Sequence, residues 1–98
     1  MTDLPDDAEK CAYIAEMMKA LGHPIRLRIV ALLCTSEEHV GAIAERLDVS
    51  QSAVSQQLSI LRARRLVEKR NDGGHAIYQI AEPRLRELVA CMQGCEVR

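Results

Sequence analysis

Apolar residues recur at helical spacing over the first third of the chain. Between residues 7 and 21 they form one stripe, and most charged side chains lie outside it, which predicts an amphipathic helix. Pro24 suits the first turn of a second helix. Residues 25–34 are apolar almost all round, which is typical of a helix at the centre of a core. The stripe of the first helix consists of Cys11, Ile14, Ala15 and Met18, and the pair Met17 and Met18 is predicted to lie in the core.

The pattern changes after residue 40. A short helix is predicted over residues 42–47, followed by a turn at Asp48 and Val49. Ser50 is a residue type that caps helices, and the helix it begins is predicted to run to about residue 65. The apolar face of this helix carries Val54, Leu58 and Leu61, and its polar face carries Gln51, Ser52, Ser55, Gln56 and Ser59.

A hairpin and a last helix complete the pattern. Residues 66–70 and 75–80 flank residues 71–74 (Asn-Asp-Gly-Gly), whose types tolerate the positive φ of a tight turn. Pro83 opens a last helix that ends at about residue 93, before Gly94. The order is four helices, a hairpin and a helix, which predicts a mainly α fold with a minor β component.

The composition is that of one small globular domain. The chain has 98 residues, of which 28% are charged and 48% hydrophobic, and its formal net charge is −1. These values exclude a disordered chain. The longest apolar run, residues 29–34, is far shorter than the roughly 18 residues of a membrane-spanning helix. The first seven residues are acidic where a signal peptide is basic, so we expect residues 1–98 to form a single cytoplasmic domain with no membrane association.

Charge is distributed unevenly along the chain. Residues 51–80 carry five basic and two acidic side chains, a net of +3, whereas the rest of the chain has a net charge of −4. A basic segment on an otherwise acidic body is typical of a protein with one face that meets a polyanion.

The polar face of the fourth helix indicates which polyanion this is. A merely solvated helix face usually carries Glu and Lys, which form helices better than Ser. Short hydroxyl side chains allow a helix to enter the major groove of double-stranded DNA closely, and a glutamine amide pairs with adenine. RNA is a weaker candidate because the chain has two Tyr, no Phe and no Trp with which to stack unpaired bases. The predicted DNA-contacting residues are Ser50, Gln51, Ser52, Ser55, Gln56, Ser59, Arg62, Lys69, Arg70 and His75.

Two other classes of protein fit this pattern less well. An enzyme needs a nucleophile with a base to activate it, and no such partner is spaced to activate these serines. A protein-docking module is expected to present an apolar or aromatic face in place of the Ser and Gln side chains. We therefore predict a DNA-binding protein that is not an enzyme, with protein docking as the alternative.

Four cysteines carry the remaining chemistry. A fixed disulfide framework is not expected in a reducing compartment, and a free cysteine is most often a small buried apolar residue. No Cys-x-x-Cys pair is present, so the spacing predicts neither a zinc ribbon nor a thioredoxin-type dithiol. Cys91 and Cys95 are about one helical turn apart, and their thiolates suit soft ions such as As(III), Sb(III) or Cu(I). The other two cysteines are Cys11 and Cys34.

Three segments resemble the ArsR/SmtB family of bacterial repressors. Residues 21–33 (LGHPIRLRIVALL) resemble the opening helix pair of that family, and residues 47–62 (LDVSQSAVSQQLSILR) resemble its recognition segment. Residues 66–80, from LVEKR to GGHAIYQI, resemble the β-hairpin, or wing, of that family. The resemblance extends over residues 8–93 and implies a winged helix-turn-helix homodimer that occludes a promoter until an effector releases it. It places the helix-turn-helix at about residues 40–65, the wing at about 66–80 and the dimerisation helices at about 7–21 and 83–93.

The metal sites of this family do not carry over to the present chain. One subgroup binds metal through cysteines ahead of the helix-turn-helix, where this chain has at most His39 in a comparable place. Arginine stays protonated and has no lone pair for a cation, so two arginines at the zinc-site positions of another subgroup disfavour a zinc or nickel sensor. Those zinc-site positions correspond to Glu82, Arg84, Cys95 and Arg98.

Three roles for the thiols stay open. In the first, Cys91 and Cys95 bind a thiophilic metalloid such as arsenite or antimonite, with Cys11 of the partner subunit as a third ligand. In the second, which is implied by family members that sense oxidants or reactive sulfur, Cys34 and Cys95 form the dithiol of such a sensor. In the third, all four cysteines are packing residues at the dimer seam.

Overall fold

The computed structural model of the protein describes residues 3–95 and residue 97, and it confirms the predicted order of elements. One 3-10 turn, Leu4–Asp6, precedes the first helix and has no counterpart in the sequence prediction. None of the helices in the described part of the chain is long and apolar enough to span a lipid bilayer. The elements are α1 (Ala8–Leu21), α2 (Pro24–Leu33), α3 (Val40–Leu47), α4 (Gln51–Ala63), β1 (Val67–Asp72), β2 (His75–Ile80) and α5 (Arg84–Gln93).

Side chains that accept hydrogen bonds cap the first four helices. The Oγ of Ser50 accepts a hydrogen bond from the backbone N of Ala53 at 3.1 Å, which confirms the predicted cap of α4. His23 and His39, for which the sequence predicts no role, cap α2 and α3 in the same way through Nδ1. Because His39 provides this cap, α3 begins at Val40, two residues earlier than predicted.

The hairpin has a tighter turn than the sequence predicts. Strands β1 and β2 pair along their full length, and Asp72 pairs with His75. Only Gly73 and Gly74 remain for the turn, and both have positive φ, 59° and 89°. A two-residue turn with positive φ at both positions matches the right-handed twist of the strands, and glycine adopts it without strain.

The core lies between α2 and α4, with the other helices and the hairpin packed around them. The apolar face predicted for α4 is confirmed, because its three side chains are fully buried. Burying one such side chain contributes about 1.5–3 kcal/mol to the hydrophobic stabilisation of the fold. The largest fully buried side chains are Ile29, Val30, Leu33, Ile43, Val54, Leu58, Leu61 and Leu85.

The stripe predicted for α1 is rotated in the structure. Met17 is 5% exposed, whereas Met18 is 57% exposed, so the prediction that both methionines lie in the core is wrong for Met18. Ala15 is exposed as well. The residues of α1 that are buried, and not merely half-buried, lie in its C-terminal half: Met17, Ala20 and Leu21. The spacing of apolar residues did not reveal this, because the buried side of α1 is decided by its contact with the neighbouring helices.

Candidate nucleic-acid interface

The polar face of α4 points away from the core. Val54, Leu58 and Leu61 are fully buried on one side of this helix, and they orient the rest of it. Every predicted DNA contact on α4 is exposed, so none of these side chains is consumed by packing. The uncharged members of this exposed set, which we call the readout face, are Gln51, Ser52, Ser55, Gln56 and Ser59, and the charged member is Arg62.

Contacts from the preceding helices hold α4 in place. Asp48 ends α3 in the left-handed conformation, with φ 56°, and α4 begins three residues later. Arg28 of α2 donates from Nη2 to the carbonyl oxygen of Leu47 at 2.9 Å, which satisfies a free acceptor at the end of α3. Ser50, itself a predicted DNA contact, is exposed and uses its Oγ to cap α4. The N-terminus of the helix that carries the readout face is therefore fixed by the Ser50 cap and by the hydrogen bond between Arg28 and Leu47.

Three cations line one groove beside the readout face. Arg62 and Lys69, both predicted to contact DNA, lie on a groove of about 350 Å³ between the end of α4 and β1. Arg65, which the prediction missed, lines the same groove. Its backbone has φ 60° where the chain leaves α4, and this turn brings its side chain to the groove. The cluster of arginines at the end of α4 was the only signal for it in the sequence. We call Arg62, Arg65 and Lys69 the basic groove; Glu68 is an acidic residue on its rim.

The predicted phosphate contact Arg70 is engaged with protein groups. Its Nη1 donates to Oε1 of Glu37 at 2.5 Å and to Oε1 of Gln79 at 2.6 Å. Gln79 in turn donates from Nε2 to Oε1 of Glu68 at 2.6 Å. Arg70 thus belongs to a polar network that ties both strands of the hairpin to the connection between α2 and α3.

The last predicted contact, His75, lies against the beginning of α3. Its exposed imidazole stacks on the ring of His39, with centroids 5.7 Å apart and planes inclined by 28°. Beside this stack, Glu38 and Tyr78 exchange two backbone hydrogen bonds of 2.8 and 3.3 Å. The stack and the bridge fasten the hairpin to the helix-turn-helix, a long-range contact that no sequence pattern predicts.

Two thiols are exposed at the end of α5. Cys91 lies in the last turns of the helix, and Cys95 lies just beyond Gly94, the residue that ends it. The Sγ of Cys95 points back toward the helix and lies 3.9 Å from the carbonyl oxygen of Cys91. Both thiols are therefore open to solvent, one on the last turns of α5 and the other just after its end.

The other two thiols are half-buried. Cys11 donates from Sγ to the carbonyl oxygen of Leu4 at 3.0 Å. Burial raises the pKa of the Cys34 thiol above its ordinary value, and the nearby positive charge of Arg86 lowers it in part. Over residues 3–95 and 97, no three His, Cys, Asp or Glu side chains come together as a metal site. One chain, as far as it is described, therefore does not assemble a three-ligand thiol site.

Two of the positions that correspond to the family's zinc site, Glu82 and Arg84, form an ion pair. Arg84 donates from Nη1 to Oε1 of Glu82 at 3.1 Å. Its guanidinium also lies 5.2 Å from the ring centroid of Tyr13. Arg98, which corresponds to a further position of that site, lies outside the described residues.

Comparison with known proteins identifies relatives over most of the chain. Residues 23–69 match the family described as "Bacterial regulatory protein, arsR family". A biofilm growth-associated repressor of Agrobacterium fabrum is 32% identical, over 91% of this chain and 76% of the relative. The solved structure of the transcriptional repressor BigR from Xylella fastidiosa has a TM-score of 0.87 at 28% identity, covering 98% of this chain and 100% of that one.

A third relative is described as a homodimer. The homodimeric winged helix-turn-helix DNA-binding domain of Mb0332 from Mycobacterium bovis has a TM-score of 0.74 at 32% identity, covering 93% of this chain and 87% of that one. The relatives are transcriptional regulators and not enzymes. The chain therefore belongs to the arsR family of bacterial regulatory proteins, as a DNA-binding transcriptional regulator with a winged helix-turn-helix fold.

Proposed function

We propose that the protein is a cytoplasmic repressor that binds double-stranded operator DNA as a homodimer. The observation that carries this proposal is the exposed, uncharged readout face of α4 with the basic groove at its end. The readout face enters a major groove, where Ser55 and Gln56 contact base edges. The basic groove binds the phosphate backbone beside it and positions the helix.

Apolar side chains on the terminal helices support the homodimer. Tyr13 and Met18 on α1 and Met92 on α5 are exposed in a single chain. Met18 and Met92 line one apolar groove together with Leu88. A domain of this size buries a smaller share of its surface than a large one does, so covering such a groove with a second copy stabilises it. The two readout faces then meet successive major grooves, about 34–36 Å apart.

Selection of a binding sequence from random duplexes, followed by titration at rising salt concentration, tests DNA recognition. If each subunit neutralises about four phosphates, log affinity falls with log salt at a slope near −7. Replacing Arg62 and Lys69 by Ala is expected to reduce the magnitude of that slope by about 3–4 for the dimer. Lys19→Ala, which removes an exposed cation from α1, is the control. A wild-type slope shallower than about −2, or no selected sequence, contradicts the proposal.

We further propose that a thiophilic ion such as arsenite or antimonite releases the DNA by binding Cys91 and Cys95. Both thiols are exposed, and Cys95 turns back toward the helical turn that carries Cys91. Each new As–S bond replaces a hydroxyl group on arsenite, which leaves as water with the thiol proton. Cys11 of the partner subunit is the proposed third ligand, because the exposed apolar side chains of α1 and α5 pair two copies there. Bonds between the two subunits at these helices change the distance and the angle between the two readout faces, so that they no longer match successive major grooves.

A dithiol formed by Cys34 and Cys95, which senses oxidants or reactive sulfur, is the second candidate. Burial raises the pKa of Cys34. The thiolate is the reactive form, so this shift makes Cys34 a poorer nucleophile. The environment of Cys34 therefore favours the exposed pair, Cys91 and Cys95, as the site of the effector.

Release of labelled operator by arsenite, and separately by inorganic polysulfide, distinguishes these candidates. Release by arsenite that is lost in Cys91→Ser and Cys95→Ser, and kept in Cys34→Ser, supports the metalloid site. Release by polysulfide that is lost in Cys34→Ser supports the dithiol. If neither reagent releases DNA from the wild type, the thiols are packing residues and both effector proposals are wrong.

A further inference from the structure

Arg70 and Glu37 form an ion pair at the edge of the proposed DNA-binding surface. Nη1 of Arg70 lies 2.5 Å from Oε1 of Glu37 and 2.6 Å from Oε1 of Gln79. The side chains of the pair are 45% and 46% exposed. Water reaches both charges, so an anion on another molecule reaches Arg70 as well.

The pair is linked to the beginning of the readout face through His39. Glu37 precedes by two residues His39, whose ring stacks on that of His75. A Cβ added at Gly41 would lie 3.3 Å from the His39 ring and 3.6 Å from Nε2 of Gln51. The segment from Glu37 to His39 therefore connects the hairpin with the first residue of the readout face. We therefore expect a duplex seated on that face to pass this segment.

We propose that Glu37 competes with the DNA backbone for Arg70, so that a phosphate oxygen replaces the Glu37 carboxylate when the protein binds DNA. The proposal rests on the function proposed above. Phosphates repel the carboxylate and attract the guanidinium. A half-exposed ion pair contributes little to stability, so exchanging one anion for another disturbs the fold little. During the exchange Arg70 keeps its hydrogen bond to Gln79 on the other strand, so the guanidinium stays in its position on the hairpin.

This exchange governs how tightly the protein binds DNA and leaves its choice of sequence unchanged. A phosphate contact is made equally well on every sequence. Breaking the pair with Glu37 offsets part of the gain from the new contact. The freed carboxylate also attracts a cation from solution, which partly cancels the counterion that Arg70 releases from DNA. The wild type therefore binds more weakly, and with a shallower salt dependence, than a protein without this carboxylate.

The variant Glu37→Gln tests the exchange in titrations of the full-length dimer against operator and random duplexes. Its affinity is expected to rise several-fold on both, and its log–log salt slope is expected to steepen by up to about 1 per subunit. Asp3→Asn is the matched control: it removes one negative charge from an exposed residue whose side chain makes no capping hydrogen bond. This control is expected to change neither quantity.

A double-mutant cycle with Arg70→Ala separates the exchange from other effects of Glu37. Arg70→Ala lowers affinity on both duplexes, and Glu37→Gln then gives a smaller gain than in the wild type, because the competition is gone and only the direct repulsion of phosphates remains. An equal gain in both backgrounds means that Glu37 merely repels DNA, and a loss of affinity in Glu37→Gln means that the pair is a structural strut. Either result overturns the exchange.

The outcomes also separate this proposal from the function on which it rests. A wild type that binds no duplex in a salt-dependent way refutes the proposed function itself. A wild type that binds DNA normally, with no gain in Glu37→Gln, refutes only the exchange. If circular dichroism shows that Glu37→Gln is poorly folded, Glu37→Ala is measured in the same cycle, with the same expectations.

Discussion

The helix-turn-helix with its hairpin differs from the two terminal helices in how completely one chain builds it. In the first region, α4 buries its whole apolar face and exposes a polar one, and the hairpin is fastened to α3 by the His39–His75 stack. In the second, α1 and α5 leave Met18, Met92 and the thiol of Cys91 exposed. The helix-turn-helix and its hairpin bury their apolar side chains within one chain, whereas the terminal helices leave an apolar surface exposed.

This difference follows from what each region does in the proposed function. A surface that reads DNA is polar and exposed, and a rigid core beneath it suffices to position its side chains. The terminal helices carry apolar area, whose removal from water contributes roughly 25 cal/mol per Å². That contribution becomes available only when a second surface covers them. In the proposed function, sensing at the terminal helices therefore depends on assembly, whereas the readout face is complete in one chain.

The largest expected effect separates the buried from the exposed face of α4. Leu58→Ala removes a fully buried side chain and is expected to lower the free energy of unfolding by about 2–5 kcal/mol. Ser59→Ala, the next residue and exposed, is expected to change it by less than about 0.5 kcal/mol. Urea denaturation of both variants measures this. Equal losses at the two positions would contradict the orientation of α4.

The second effect tests whether the terminal helices need a partner. Met18→Glu places a charge on the exposed apolar groove and is expected to raise the dimer dissociation constant roughly 10–100-fold. Met18→Leu keeps the apolar volume and is expected to preserve the dimer. Sedimentation velocity over a dilution series gives both constants. A dimer that tolerates Met18→Glu excludes this face as the seam.

A third effect concerns the readout face alone. Gln56→Ala is expected to reduce discrimination at one base pair by about 1–3 kcal/mol and to leave binding to random DNA nearly unchanged. Gln93→Ala makes the same truncation on α5 and serves as the control. Competition between operator variants measures discrimination. A loss that is equal on every sequence indicates that Gln56 does not read bases.

A smaller effect is expected at the start of α4. Ser50→Ala removes the cap that its Oγ provides and is expected to cost about 1 kcal/mol of stability. Ser50→Asn retains an oxygen that accepts the same hydrogen bond, and most of the stability is expected to return. Thermal unfolding of the three proteins checks this. If the Asn variant is as unstable as the Ala variant, the Ser50 hydroxyl does not stabilise the protein by capping α4.

The smallest effect compares the half-buried thiol of Cys34 with the exposed thiol of Cys91. Because burial raises the pKa of Cys34, less of it is thiolate at a given pH, and its alkylation is expected to be several-fold slower than that of the exposed Cys91. The rate for Cys34 is expected to keep rising to higher pH. Mass spectrometry of iodoacetamide-treated protein at several pH values measures both rates. In protein unfolded by urea, the two alkylation rates are expected to become equal. A difference in rate that persists in urea would show that burial in the fold is not its cause.

Much of the fold was predictable because its signals are local. The cap at Ser50, the spacing of Val54, Leu58 and Leu61, and the glycines of the hairpin turn act between residues a few positions apart. Such interactions are formed whatever the rest of the chain does. They were enough to predict the five α-helices of the described residues, the hairpin and the exposed polar face of α4. The start of α3 was predicted wrongly because a histidine cap is not part of the usual pattern of helix starts.

The sequence by itself determined the order of elements and which residues face away from the core on α4, since periodicity and capping depend on near neighbours. Only the tertiary structure decided that Arg65 joins the basic groove, that Arg70 bonds to Glu37, and that Met18 points outward. The partners in the Arg70–Glu37 bond are 33 residues apart in sequence. Contacts of that kind depend on how whole elements pack, and no local pattern of residues specifies them.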